Sequence, residues 1–144
     1  MKSITIIGSG NAATAISLAL QKAGYKIMQV FSRDEMNATV LASKVNAKAV
    51  SNLSEINTDS DIYLIAVKDD AIAEVARLLN LYGKIVAHTS GIKEKEVLVS
   101  ASENFGVFYP FVSMTKGTET DFSNSLLMLE GSNSNTLDVL HEVA

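Results

Sequence analysis

The run Ile4-Thr5-Ile6-Ile7 passes directly into Gly8-Ser9-Gly10-Asn11-Ala12-Ala13, and this junction restricts the fold more than any other segment. β-Branched residues favour an extended strand. Beyond Gly10 the period changes, with Ala12, Ile16, Ala19, Leu20 and Ala23 at helical spacing up to Gly24. Gly24 sits where a helix C′ residue needs positive φ. A strand, a tight turn and a helix are therefore expected in succession. In that setting G-x-G-x-x-A has a physical reading at each position: Gly8 permits the turn, Gly10 lets the backbone approach a pyrophosphate, and small Ala13 lets helix and strand pack closely. The free N–H groups at the helix start favour an anion. Gly8, Ser9, Gly10, Asn11 and Ala12 are thus candidate contacts to a dinucleotide. A glycine-rich turn that binds nothing, or one that holds the adenosyl part of a methyl donor, fits the same pattern.

The alternation continues along the chain. Lys26 to Phe31 reads as a second strand, Asp34 to Lys44 as a helix carrying Met36, Val40 and Leu41, and Ala47 to Val50 as a third strand. Asp61 to Val67 is nearly all apolar, as a central parallel strand covered on both faces would be. Ile72, Val75, Ala76 and Leu79 mark an amphipathic helix, Lys84 to His88 a fifth strand and Phe105 to Phe111 a sixth. Leu126 to Glu130 is a candidate seventh strand, with a C-terminal helix from about Thr136. This order implies an α/β fold: a Rossmann-type doubly wound, mainly parallel sheet flanked by helices. Ligands in such sheets bind beyond the carboxyl ends of the strands.

The 144 residues are expected to form one domain, 1–144, with no internal repeat and no linker-like tract before the loose stretch Gly131 to Asn135. Net charge is −4, and the basic residues are scattered, so nucleic acid is not an expected partner. The absence of cysteine excludes disulfides, thiolate metal sites and a cysteine nucleophile. No spacing of His, Asp and Glu suggests a metal site. Met-Lys-Ser leads straight into the first strand, and no run approaches the ~18 apolar residues of a membrane span. A soluble cytoplasmic protein with no membrane partner is the expectation.

An NAD site usually carries Asp or Glu at the end of the second strand, to bond the ribose hydroxyls. Phe31-Ser32-Arg33 stands there instead. A carboxylate would repel a 2′-phosphate, whereas a hydroxyl and a guanidinium bind one, so NADP is favoured over NAD. Ser32 and Glu35 also fit a capping box for the next helix, with Arg33 as an ordinary solvated charge.

Val67-Lys68-Asp69-Asp70 follows the central strand, at the expected nicotinamide side. Lys68 suits orienting a substrate carboxylate or donating a proton, while Asp69 or Asp70 fits the N-cap of the next helix. His88-Thr89-Ser90-Gly91 closes the fifth strand beside the same crevice. Hydride addition to C=O or C=N needs a proton source, for which His88 and Ser90 are candidates. The rival reading makes His88 hydrogen-bonded structure and Ser90 a helix cap. Tyr109 ends the sixth strand, facing either site or core, and His141 reads as surface.

Taken together, Ile6 to Ala13, Phe31-Ser32-Arg33, Ile65 to Ile72, His88 to Gly91 and Gly106 to Pro110 resemble a bacterial family of inferred NADP-dependent oxidoreductases. That family has a Rossmann-like N-terminal domain and a helical C-terminal domain, and is related to pyrroline-5-carboxylate reductases and deazaflavin-dependent NADP reductases. The resemblance implies that the loop residues contact pyrophosphate, that Ser32 and Arg33 contact the adenosine phosphate, and that Val67, Lys68, Thr89 and Ser90 line the nicotinamide side. It also implies that this chain corresponds to the N-terminal domain alone, and that a full-length form is a homodimer with much of the substrate pocket in the helical domain. The expected function is hydride transfer between NADPH and a small carbonyl or imine. The alternative is a nucleotide-sensing module that catalyses nothing, which fold alone does not separate from an enzyme.

Overall fold

A computed structural model describes residues 2–112, 114, 120–123 and 125–144; Met1, where the reading of the N-terminus begins, lies outside them. Among the described residues seven strands form one sheet in the order β3-β2-β1-β4-β5-β6-β7. These are β1 (Ser3–Ile7), β2 (Lys26–Phe31), β3 (Lys48–Val50), β4 (Ile62–Ile65), β5 (Ile85–His88), β6 (Asn104–Phe111) and β7 (Leu126–Gly131). The first six are parallel, and β7 returns antiparallel to β6 with Phe111 opposite Leu126 and Gly106 opposite Gly131. From β1 the chain winds outward through β2 to β3, then crosses back to β4 and proceeds the other way. The switch point lies between β1 and β4, as in a Rossmann-type sheet.

Strand period two divides the core into two layers. Ile4 and Ile6 of β1 and Ile62 and Leu64 of β4 pack with α1 (Asn11–Lys22), α2 (Glu35–Lys44) and α4 (Ser134–Val143). Ile7, Tyr63 and Ile65 turn to the opposite face, under α3 (Ile72–Arg77) and the 3-10 segment Lys95–Leu98. Every residue of β4 is buried, which accounts for its unbroken apolar sequence. Helix α1 closes as anticipated: Gly24 has φ +100, its N–H reaches the Gln21 carbonyl, and Tyr25 N–H reaches that of Leu20.

The crossovers depart from the sequence expectation in three places. Helix α3 stops at Arg77 and is entered through a 3-10 turn, Asp69–Ala71. The β5 to β6 connection contains only the 3-10 segment Lys95–Leu98. The stretch that resembled a linker, Gly131 to Asn135, is instead the end of β7 and the start of α4, because the Asn133 side chain caps the helix by accepting from Thr136 N–H. Among the described residues no helix is long and apolar enough to cross a membrane.

Gly8 holds the switch point together. It has φ +132, and a Cβ built on it would collide with the backbone carbonyl of Ala66, just beyond β4. Gly8→Ala is therefore expected to destabilise the chain by about 2–4 kcal/mol, through backbone strain and overpacking. Urea denaturation measures this, and an unchanged midpoint would mean that β1 and β4 tolerate wider spacing there.

Candidate functional site

Strands β2, β1, β4 and β5 lie side by side, and their carboxyl ends deliver four loops to one edge of the sheet. The first is the glycine loop. Gly8 N–H donates to the Phe31 carbonyl (2.8 Å), tying the turn to β2, while Ala66 N–H donates to the Ile7 carbonyl (2.8 Å), tying β1 to β4. Ser9 Oγ donates to Ser32 Oγ (2.8 Å). Gly10 is the N-cap of α1, with extended backbone and no side-chain cap, and the first turn contains no acidic residue. A Cβ built on Gly10 meets nothing within 4 Å among the described residues. Asn11 is exposed, Ala12 half-buried, and Ala13 is fully buried against the sheet. The helix thus presents uncapped N–H groups and the positive end of its dipole to open space, an arrangement that attracts anions.

At the end of β2 the chain stays extended for one more residue, Ser32 N–H donating to the Val50 carbonyl. This delays the helix, and Asp34 rather than Ser32 becomes its N-cap by accepting from Asn37 N–H (3.1 Å). Glu35 is then the first helical residue, so the capping box anticipated for Ser32 and Glu35 does not form. Ser32 is released for other partners: its buried hydroxyl accepts from Ser9 Oγ and from Asp34 N–H (3.3 Å). Arg33 extends into solvent, its guanidinium 3.9 Å from the Glu74 carboxylate.

Beyond β4, Val67 is half-buried and Lys68 exposed. Asp69 and Asp70 do not cap a helix, because both lie within the 3-10 turn; the flanking cap positions, Lys68 and Ala71, make no side-chain cap bond.

Beyond β5, His88 is fully buried. The Glu94 carbonyl can only accept and Ser90 N–H can only donate, so the partners fix the tautomer: Nε2–H donates to Glu94 O (3.0 Å), and Nδ1 accepts from Ser90 N–H (3.1 Å). Burial pushes the imidazole pKa below its ordinary value, although the Glu94 carbonyl, Asp69 and Glu130 act in the opposite direction. The ring is neutral with both nitrogens engaged. Ser90 Oγ accepts from Ile92 and Lys93 N–H (3.1 Å each) and so closes a turn rather than capping a helix. Thr89 is half-buried, its N–H on the Ile65 carbonyl. Gly91 is pressed against the Tyr109 ring, which would lie 2.7 Å from a Cβ, and Tyr109 stacks edge-on with Phe111. His141 is exposed.

The structure therefore carries the glycine loop, Ser32 with Arg33, Val67 with Lys68, and Thr89 with Ser90 on consecutive strand ends. Glu74 was not anticipated, since an exposed glutamate on a helix has no sequence signature.

A glycine turn at the switch point of a doubly wound sheet, opening an uncapped helix, is the arrangement found in dinucleotide-binding domains. The chain belongs to the family described as NADP oxidoreductase coenzyme F420-dependent, whose profile matches residues 3–102. It is 33% identical to a candidate NADP oxidoreductase of Bacteroides fragilis of known structure, with a TM-score of 0.91 over 99% of this chain and 56% of that one. A pyrroline-5-carboxylate reductase from Coxiella burnetii shares the fold at 19% identity and a TM-score of 0.70, covering 99% of this chain and 55% of that one. A glycerol-3-phosphate dehydrogenase [NAD(P)+] of Mesorhizobium japonicum is 25% identical over 118 residues, which is 82% of this chain and 31% of that protein. The chain spans just over half the length of these solved structures and about a third of the dehydrogenase.

The neutral state of His88 has a consequence for stability. A folded-state pKa below the ordinary 6.5 contributes stability that is present above that value and is lost as pH falls beneath it. The unfolding midpoint should drop between about pH 7.5 and about pH 5.5, and by less in His88→Asn, which does not titrate there. Parallel losses in the two proteins would assign the acid sensitivity elsewhere.

Proposed function

We propose that this chain binds NADPH along the edge formed by β2, β1, β4 and β5 and, with its substrate in place, reduces a small carbonyl or imine in the cytoplasm. The observation that carries the reading is Gly10. Its φ of −79 suits any residue, and among the described residues nothing lies within 4 Å of a Cβ there, so their packing does not require glycine at that position. The missing side chain leaves the helix N–H groups open to a pyrophosphate.

Around it, Gly8, Ser9, Asn11 and Ala12 shape the pyrophosphate cradle, and Ser32 and Arg33 receive the 2′-phosphate. Absence of a carboxylate at Ser32 supports NADP over NAD. Val67 and Thr89 border the nicotinamide. When bound, the nicotinamide supplies the hydride that forms the new C–H bond. Lys68 orients the substrate and gives a proton to its oxygen or nitrogen, and its exposure allows the proton to be replaced from water. Ser90 accepts two backbone N–H groups and retains its own hydrogen to donate to the substrate. His88, with both nitrogens engaged, positions the Thr89 to Gly91 loop, which fits the hydrogen-bonded alternative rather than the candidate proton source. In a full-length form, a homodimer and a helical domain complete the substrate pocket.

Calorimetric titration with NADP and with NAD tests the reading. NADP is expected to bind at least about tenfold more tightly, a difference of about 1.4 kcal/mol. Gly10→Val should fold normally and lose nucleotide binding. Unchanged affinity in the folded variant, or no binding of either nucleotide to the parent chain, overturns the assignment. Binding without turnover in a full-length protein would favour a sensing module.

A further inference from the structure

Arg33 and Glu74 belong to the loop after β2 and the helix after β4, the two strands that flank β1. Their ion pair therefore joins opposite walls of the edge on which the glycine loop lies. Helix α3 buries Ile72, Val75 and Ala76 against the sheet, leaving Glu74 on its outer side in the first turn. The pair is loose. Guanidinium and carboxylate are 3.9 Å apart, with side chains 72% and 59% exposed, so it contributes little to stability and yields readily to a better partner. Asp34, next to Arg33 in sequence, is engaged elsewhere, with its carboxylate capping α2. Glu74 is thus the carboxylate that faces the guanidinium.

We propose that Glu74 sets the preference between the two pyridine nucleotides by competing with the 2′-phosphate for Arg33. The inference rests on the assignment of Arg33 to that phosphate under the proposed function. NAD has no 2′-phosphate, so the pair remains closed when NAD binds and the carboxylate imposes no cost. With NADP the guanidinium must turn from Glu74 to the phosphate. Its planar set of N–H donors favours the doubly charged phosphate, and the released carboxylate stays close enough to repel it. Glu74 consequently holds the NADP preference below the value that Arg33 alone would give. Neutralising it should tighten NADP binding without affecting NAD.

The test is titration calorimetry of the chain and of Glu74→Gln, Arg33→Ala and the double variant, with NADP and NAD at low and high salt. Glu74→Gln should bind NADP about threefold more tightly and NAD unchanged. The gain should shrink as salt screens the exposed charges, and should fall in the Arg33→Ala background. Thermal unfolding verifies that each variant is folded. If NADP is preferred by the parent but Glu74→Gln binds it equally or more weakly, Glu74 orients Arg33 or does nothing, and this inference fails while the proposed function stands. If NADP does not bind the parent, or Arg33→Ala leaves the preference intact, the phosphate assignment fails and this inference with it.

Discussion

Where β1 ends, Gly8 turns with a positive φ and lies so near the Ala66 carbonyl that no methyl group fits between them. This approach sets the spacing of the two central strands beyond their last ladder bonds. The same residue donates to Phe31 of β2, so a single position fixes the ends of three adjacent strands relative to one another. The start of α1 and the loops after β2 and β4 inherit that geometry. A site distributed over several loops needs a rigid scaffold beneath it, and here the scaffold tightens at the point where the loops diverge.

The two ends of the sheet handle polar groups differently. At the amino end, Thr5 bonds Ser60 inside the core, Tyr63 donates its hydroxyl to the Asn57 carbonyl, and Asp61 accepts from the backbone and side chain of Ser3. The Ser3 N–H holds the Asp61 carboxyl below its ordinary pKa. These partners offset the cost of burying Thr5, Ser60 and Tyr63, while the Asp61 bonds lie at the surface. At the carboxyl end, Gly10 caps a helix without a side chain, and Arg33 and Lys68 are solvated. The uncapped N–H groups of α1 meet no acidic residue in their own first turn, whereas Arg33 and Lys68 share their loops with Asp34 and Asp69 and Arg33 pairs with Glu74, so the helix start is the anion-attracting feature of that end.

The fold was legible because its signals are local. The glycine turn, the switch from period two to helical spacing, and the Gly24 stop each reside within a few consecutive residues, and the apolar run of β4 announces burial on both faces. The site was legible in part. Strand ends identified the loops, but the partners of their side chains depend on where the backbone leaves the sheet. Ser32 matched a capping pattern, yet one additional ladder bond to Val50 moved the cap to Asp34. His88 had the chemistry of an acid, yet the turn that follows it wraps both nitrogens in backbone groups. Asp69 and Asp70 had cap chemistry, yet a 3-10 turn begins at Asp69. The Arg33 and Glu74 pair joins segments far apart in sequence, and no periodicity encodes it.

Ser32 and Ser90 show how a structural role can leave part of a hydroxyl's bonding capacity unused. A hydroxyl has two acceptor lone pairs and one hydrogen. Ser32 accepts from Ser9 and Asp34, and Ser90 accepts from Ile92 and Lys93. In both, the acceptor capacity is consumed in shaping a loop, and the hydrogen remains to donate. A hydroxyl in this state favours a partner rich in acceptors, such as a phosphate oxygen beyond β2 or the developing negative oxygen of a reduced carbonyl beyond β5. On the proposed assignment, alanine at either position would therefore remove a loop restraint and a ligand bond together, whereas threonine retains the hydroxyl and adds a methyl group. The two contributions separate only where that methyl group is accommodated.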